Sequence, residues 1–277
     1  MDLTMSERIM YNVLHLTLLN SSGETVGTAT GFLFDFCRND RQSIPCLVTN
    51  RHVLSYCSRV RITFTKKTAA NTPDTRNLLH AEMETAHSMY HPNPAIDLAI
   101  LPIGTLLNEL QQCGQMVFYT ACSVEDIPPQ AEWSQYSAVE TVIMAGFPRG
   151  LRDEINNQPI FRSGITATHP ALDFQGRPEF LIDMPCFKGC SGSPVMICDE
   201  GWYVNKRINS ISSGGNFALL GIQCAIPRQF DIGYLETIPT FDAEQVPVVP
   251  LHMNLGYIIK STELLVFDDI LRAKYNI

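Results

Sequence analysis

Lys188-Gly189-Cys190-Ser191-Gly192-Ser193-Pro194-Val195 is a Gly-x-Ser-Gly turn that runs into an apolar strand. Glycine at both shoulders lets the backbone bend within a few residues, because no Cβ obstructs the bend. In this reading the amides of Gly189 and Ser191 face a common spot, which is what stabilising an oxyanion requires, and the Ser191 hydroxyl stands beside it. Such a turn is common on its own, so the reading needs a base and an orienting acid elsewhere in the chain.

Leu47-Val48-Thr49-Asn50-Arg51-His52-Val53-Leu54 puts a histidine directly after an apolar strand. A neutral imidazole at His52 can take the serine proton and return it to a leaving amine. Taken alone, His52 also reads as a turn or core histidine bonded to backbone. Ala95-Ile96-Asp97-Leu98-Ala99-Ile100-Leu101 embeds a carboxylate in an apolar run, where it is costly unless paired. An imidazole N–H is a natural partner for Asp97, and capping the turn after Pro92-Asn93-Pro94 is the competing role.

Outward from these three stretches, short apolar runs punctuated by 17 Gly and 17 Pro point to an all-β chain. Residues 13–19 and 25–34 read as a hairpin, 46–50 and 60–64 continue that sheet, and 78–84 and 97–102 close a first barrel. The polar, Thr-rich stretch 66–76 reads as a loop. A second series of six strands spans 140–146, 159–167, 179–184, 193–198, 217–226 and 256–259. The expected fold is therefore two six-stranded antiparallel β-barrels with a C-terminal helix. The first barrel, residues 1–105, carries His52 and Asp97. A linker over 106–138, with a short helix at 106–113, leads to the second barrel, 139–260, which carries Ser191. The tail 261–277 is helical, with Ser261 as cap, Leu264, Leu265, Ile270 and Leu271 on one face, and Asp268 and Asp269 pointing elsewhere.

A chain of 277 residues buries a sizeable core without metals or disulfides. Its formal charge of −8 and the absence of a basic cluster interleaved with aromatics exclude nucleic acid as a partner. No eighteen-residue apolar run occurs and residues 1–12 have no apolar leader core, so neither a membrane span nor export is expected. Nine cysteines, an odd number without a Cys-x-x-Cys pair or zinc spacing, read as free thiols of a reducing cytoplasm. No metal or cofactor is implied.

The order His52, Asp97, Ser191 and the residues around each resemble the trypsin-like peptidases and, within them, the bacterial HtrA/Deg branch. Gly27-Thr28-Ala29-Thr30-Gly31-Phe32-Leu33 resembles the family's glycine-rich second strand. The stretches around His52 and Asp97 resemble its V-T-N-x-H-V and D-L-A words. Ala145-Gly146-Phe147-Pro148-Arg149-Gly150, Ser163-Gly164-Ile165, the stretch from Asp183 to Pro194, and Leu220-Gly221-Ile222-Gln223-Cys224-Ala225-Ile226 resemble further family words. Together they cover residues 12–230. Two departures stand out: Cys190 occupies the place of an activating aspartate, and Ser193 that of a second glycine. About fifty residues follow, too few for a PDZ module.

The resemblance implies a serine endopeptidase acting on protein or peptide substrates. It implies a substrate pocket built from Asp183, Pro185, Cys186, Phe187, Lys188, Gln223, Cys224 and Ala225, with the backbone of 223–226 pairing an extended substrate. Pro185 at the pocket floor suggests a preference for small or medium apolar side chains. Control by a regulatory protein partner or by a mobile loop at 149–158, in a bacterial signalling or defence module, is a further expectation. The alternatives are a catalytically silent pseudoprotease that binds protein segments, and a cysteine peptidase using Cys190.

Overall fold

The computed structural model describes residues 3–39, 42–229 and 251–276; the outermost residues of the expected first barrel and tail helix, and part of the second barrel, lie outside these. A first sheet collects nine strands: β1 (Val13–Leu19), β2 (Thr25–Phe36), β3 (Ile44–Thr49), β4 (Arg59–Lys67), β5 (Pro73–Glu84), β6 (Met89–Tyr90), β7 (Ala99–Pro102), β8 (Val117–Phe118) and β9 (Cys122–Ser123). Its main path runs β5-β4-β1-β2-β3-β7-β6, with β8 on β4 and β9 on β2. The second half supplies β10 (Thr141–Gly146), β11 (Ile160–Thr166), β12 (Glu179–Asp183), β13 (Pro194–Asp199), the hairpin β14 (Trp202–Asn205) and β15 (Ser210–Ser213), β16 (Asn216–Ala225), a short pair β17 (Arg228–Gln229) and β18 (Leu251–His252), and β19 (Leu255–Lys260). Six of these close into a barrel in the order β10-β11-β12-β19-β16-β13. The fold is the trypsin-like arrangement of two β units with a C-terminal helix. The helices are α1 (Met5–Asn12), α2 (Arg51–Ser55), α3 (Gly104–Gln112), α4 (Gln130–Trp133) and α5 (Leu265–Tyr275).

The second half has the six strands expected of it, whereas the first departs from a simple six-stranded count. Lys66 and Lys67 continue β4, and β5 begins at Pro73, so the stretch expected to be a loop is mostly the end of a long hairpin. The expected strand 78–84 is the second half of β5; residues 73–77, on the sheet edge and none of them buried, carry no apolar alternation that would announce the rest. Asp97 precedes β7, which starts at Ala99, because the Asp97 carbonyl and carboxylate bond to α2 and not to the ladder.

Alternation along β2 decides where the core sits. Leu33 points into the first sheet's own cluster with Leu16, Leu47 and Val60, while Phe32, Phe34 and Phe36 point the other way. There they meet Ala145, Phe147, Met196, Leu219 and Ile222 of the second half and Phe267 and Leu271 of α5. Burying each such ring is worth roughly 2 kcal/mol, against about 1 kcal/mol net for a typical hydrogen bond, so apolar packing dominates the seam between the halves.

Both terminal helices cross that seam. Thr4 and Glu7 form a capping box at the start of α1, and the Ser6 amide donates to Glu200 of the second half at 2.8 Å. At the other end, Asp268 accepts the Cys37 amide at 2.6 Å and binds Arg272 at 2.7 Å. Asp268 is thus buried and bonded inward, where the sequence suggested an outward side chain. Ser261 does not cap the tail either: its hydroxyl is buried without a hydrogen-bond partner, and residues Ser261–Leu264 form a 3₁₀ turn that leads into α5.

Candidate active site

Helix α2 carries His52, and the turn before β7 carries Asp97. The Asn50 side-chain amide and the Arg51 amide both donate to the Asp97 carbonyl, at 2.9 and 3.3 Å. The His52 amide donates to Asp97 Oδ1 at 2.9 Å, and His52 Nδ1 meets Asp97 Oδ2 at 2.6 Å. A carboxylate accepts, so Nδ1 carries the proton and Nε2 keeps its lone pair. The imidazole is half exposed. The competing role for Asp97 is filled by Asn93, whose side chain accepts the Ala95 amide at 3.0 Å. From the second half, Arg177 pairs with buried Glu179 at 2.9 Å and donates to the Ala95 carbonyl at 3.3 Å, which braces the same turn. Burial is the main cause that raises the Glu179 carboxyl above its ordinary range, Arg177 opposes it, and the charge of Asp97 adds to it.

The turn around Ser191 requires its glycines. Gly189 and Gly192 have φ of +92° and +87°, the left-handed region that other residues seldom adopt. A Cβ on Gly189 would lie 2.6 Å from the Phe147 carbonyl oxygen, and one on Gly192 would lie 2.1 Å from the Thr30 carbonyl oxygen. From Gly189 to Ser193 three of the five amides are spent. Cys190 donates to the Phe187 carbonyl, Gly192 to that of Gln223 and Ser193 to that of Cys190. Among the described residues the amides of Gly189 and Ser191 donate to no protein acceptor. The carbonyl of Lys188 accepts the Arg149 amide at 2.6 Å, and across a trans peptide this turns the Gly189 N–H away from Arg149.

Thr30 and Thr49, which the sequence reading left unassigned, hold this turn from the first half. Both are fully buried. The Thr30 hydroxyl donates to the Gly189 carbonyl at 2.8 Å and accepts the Phe147 amide at 3.0 Å, while its own amide donates to the Ser191 carbonyl at 3.1 Å. Thr49 Oγ1 donates to the Thr30 carbonyl at 2.8 Å. Thr49 stands three residues before His52, so the base and the nucleophile's turn hang from one chain of hydrogen bonds. For Thr49 the signal is a hydroxyl in an otherwise apolar strand, whereas Thr30 shares β2 with Thr25 and Thr28 and nothing in the sequence sets it apart.

The expected pocket residues divide into four groups. Asp183, Pro185, Lys188 and Ala225 are exposed. Cys186 and Cys224 are buried thiols, that of Cys186 pushed up to about 12 chiefly by burial. Gln223 is buried behind the turn: its amide donates to the Ser193 carbonyl and its carbonyl accepts Gly192, so its backbone is not free to pair a substrate as expected. Phe187 faces two arginines, with the guanidinium carbons of Arg162 and Arg149 lying 5.0 and 5.6 Å from its ring centre. The 149–158 loop is also not a free segment. The Asp153 carboxylate accepts the amides of Ile155 and Asn156, and buried Asn157 donates to the Thr63 carbonyl of the first half. Of the polar residues that suggested mobility, Asn156 donates to the Asp153 carboxylate at 2.7 Å and Asn157 reaches out to the first half.

Two β units, a His–Asp pair on the first and a glycine-shouldered serine turn on the second form the framework of a trypsin-like peptidase. The chain belongs to the trypsin-like peptidase domain family, whose sequence profile matches residues 29–204 and spans His52, Asp97 and Ser191. Among solved structures, the MamO protease domain of Magnetospirillum magneticum in its apo form is 14% identical, with 95% of this chain and 98% of that chain covered and a TM-score of 0.46. The Rv3671c protease of M. tuberculosis in its active form is 14% identical, with 93% and 79% covered and a TM-score of 0.45. Among curated protein sequences none matches this chain. All nine cysteines are free, and among the described residues no helix is long and apolar enough to cross a membrane.

Proposed function

We propose that the chain is a serine endopeptidase with Ser191 as nucleophile, His52 as general base and Asp97 as its orienting acid. The observation that carries this reading is the 2.6 Å contact between His52 Nδ1 and Asp97 Oδ2, which leaves Nε2 basic. His52 Nε2 takes the Ser191 proton as Oγ attacks the scissile carbonyl carbon. The resulting oxyanion lies against the amides of Gly189 and Ser191, whose lack of protein acceptors supports this role. Collapse expels the amine, which takes the proton from His52, and water then releases the acyl group by the same steps in reverse order. The substrate is a protein or peptide. The nine free thiols fit a reducing compartment, and we place the protein in the cytoplasm.

Cys190 does not fit the nucleophile's role. It is fully buried in the second barrel's core with Val142, Val195 and Leu220, and burial raises its thiol above the ordinary range, away from thiolate. The test is labelling with a fluorophosphonate together with peptide hydrolysis. Wild type labels and Ser191→Ala does not, with kcat falling by roughly 10⁴ to 10⁶. Cys190→Ala stays within about tenfold of wild type, because only its backbone takes part. Absence of labelling in the folded wild type would identify the silent, segment-binding alternative, and loss of activity in Cys190→Ala alone would restore the cysteine mechanism.

A further inference from the structure

Arg149, Arg152 and Arg162 are scattered along the sequence, and no basic run announces them. The fold brings them to one cleft of about 760 Å³, walled by Phe187 and Leu151, with Glu154 as the carboxylate on its lining. Among the described residues none of the three arginines has a carboxylate within 4.0 Å, although five other arginines of the chain do. Arg162 Nε is buried without a hydrogen-bond partner, and Arg152 makes one long bond, 3.4 Å, to Thr63 Oγ1. Arg149 and Arg162 stack on Phe187, an arrangement that fixes the guanidinium planes and leaves their edge N–H groups for a planar acceptor. A half-buried donor left unpaired is costly, and a carboxylate arriving from outside removes that cost.

The cleft adjoins the serine turn directly. The Phe187 carbonyl accepts the Cys190 amide, and the Arg149 amide holds the Lys188 carbonyl, so one wall of the cleft is the outer face of the turn that carries Ser191. Its charge runs against that of the whole chain, which is −8. A general attraction for anions is therefore absent, and the attraction is local to this position. We infer that the Arg149, Arg152 and Arg162 cleft is a substrate subsite that takes an acidic side chain, aspartate or glutamate, lying a few residues from the scissile bond. This rests on the peptidase reading of Ser191, and it sets selectivity at a position separate from the residue at the cut.

The test scans a single glutamate through each position flanking the cleaved bond of a neutral peptide. At one position the acidic peptide should show a kcat/KM about tenfold above its glutamine counterpart, the size expected of one charge-assisted hydrogen bond, and the advantage should shrink as salt rises. Arg162→Gln and, independently, Arg152→Gln should cut the acidic-to-neutral ratio several-fold, through KM, in chains whose melting shows them folded. Equal cleavage of acidic and neutral peptides at every position overturns the subsite, as does an unchanged ratio in both variants. A parallel arm uses Ser191→Ala and fluorescence anisotropy with the same peptides. There, tighter binding of the acidic peptide that is lost on Arg162→Gln upholds the subsite even if no peptide is cut, a failure that would fall on the proposed chemistry alone; equal binding overturns the subsite.

Discussion

The half that carries His52 and Asp97 and the half that carries Ser191 are built on different principles. The second is a barrel whose last ladder, β10 to β13, leaves no free edge, and its core of Val142, Phe180, Ile182, Val195, Leu220 and Ile258 is self-contained. The first is an open sheet that ends in the lightly buried β5 and the two-residue β6; it has a core of its own around Leu16, Leu33, Leu47 and Ile62, while Phe32, Phe34 and Phe36 face the other unit. The chemistry is divided in the opposite sense. The His–Asp pair is complete within the open half, through bonds from Asn50, Arg51 and His52 to Asp97. The serine turn is built by the closed half yet pinned by Thr30 of the open one. The closed unit thus supplies the part of the site that is held by its neighbour, and the open unit supplies the part whose bonds lie within itself.

That contrast is sharpened most by Asp97→Asn. An asparagine keeps the size of the side chain but favours the wrong imidazole tautomer, so kcat should fall by about 10⁴ while thermal stability and the binding of uncleaved peptide change little. A fall in stability of comparable prominence would show that the pair holds the open half together and is not self-contained.

A smaller effect is expected of Thr30→Val, which keeps the shape but removes the hydroxyl shared by the Gly189 carbonyl and the Phe147 amide. Thr30 is a positioning residue on this account. Its loss should lower kcat by about 10- to 100-fold with KM little changed, because a misaimed Gly189 amide weakens only oxyanion stabilisation. Thr30→Ser should recover most of the rate. Equal losses in the valine and serine variants would mean that Thr30 only fills space.

The smallest effect concerns His15, on β1 of the open half, which stacks edge-on against Phe147 of the closed half at 5.2 Å. Burial first, then the charges of Arg152 and His80, lower its pKa from 6.5 to about 4. A depressed histidine pKa favours the neutral folded form, so its stabilising share is present above pH 6.5 and is lost as pH falls toward 4. The loss should approach ~1.4 kcal/mol per pH unit in that window. Denaturant unfolding of wild type and His15→Leu between pH 7 and 4 should give a shallower slope for the variant, and parallel slopes would remove His15 from the seam.

What could be read from the sequence tracks how local each requirement is. The glycine turn, the histidine after its strand and the aspartate in an apolar run are each specified within a few residues, and the structure brings His52 and Asp97 into contact. The six strands of the second half were legible because barrel strands alternate or run apolar. The first part of β5, residues 73–77, carries no such pattern, and α1 is only eight residues long, signalled by little more than Thr4 and Glu7. Thr30, the 149–158 loop and the arginine cleft depend on contacts between residues scores of positions apart. Periodicity and spacing are silent about those. Ser261 misled for a related reason: the chain begins its tail with a 3₁₀ turn, so the α-helix starts later than a capping serine would place it.

The pairing of Cys37 with Asp268 spans 231 positions. A ribosome releases the first sheet long before it makes α5, so the nascent first half emerges with the Phe32, Phe34 and Phe36 face uncovered and waits for the rest of the chain. The Ser191 turn and its anchor on Thr30 also meet only after the second barrel has left the ribosome. Synthesis itself therefore sets a delay, because α5, translated long after the first sheet, is the stretch that seals the seam.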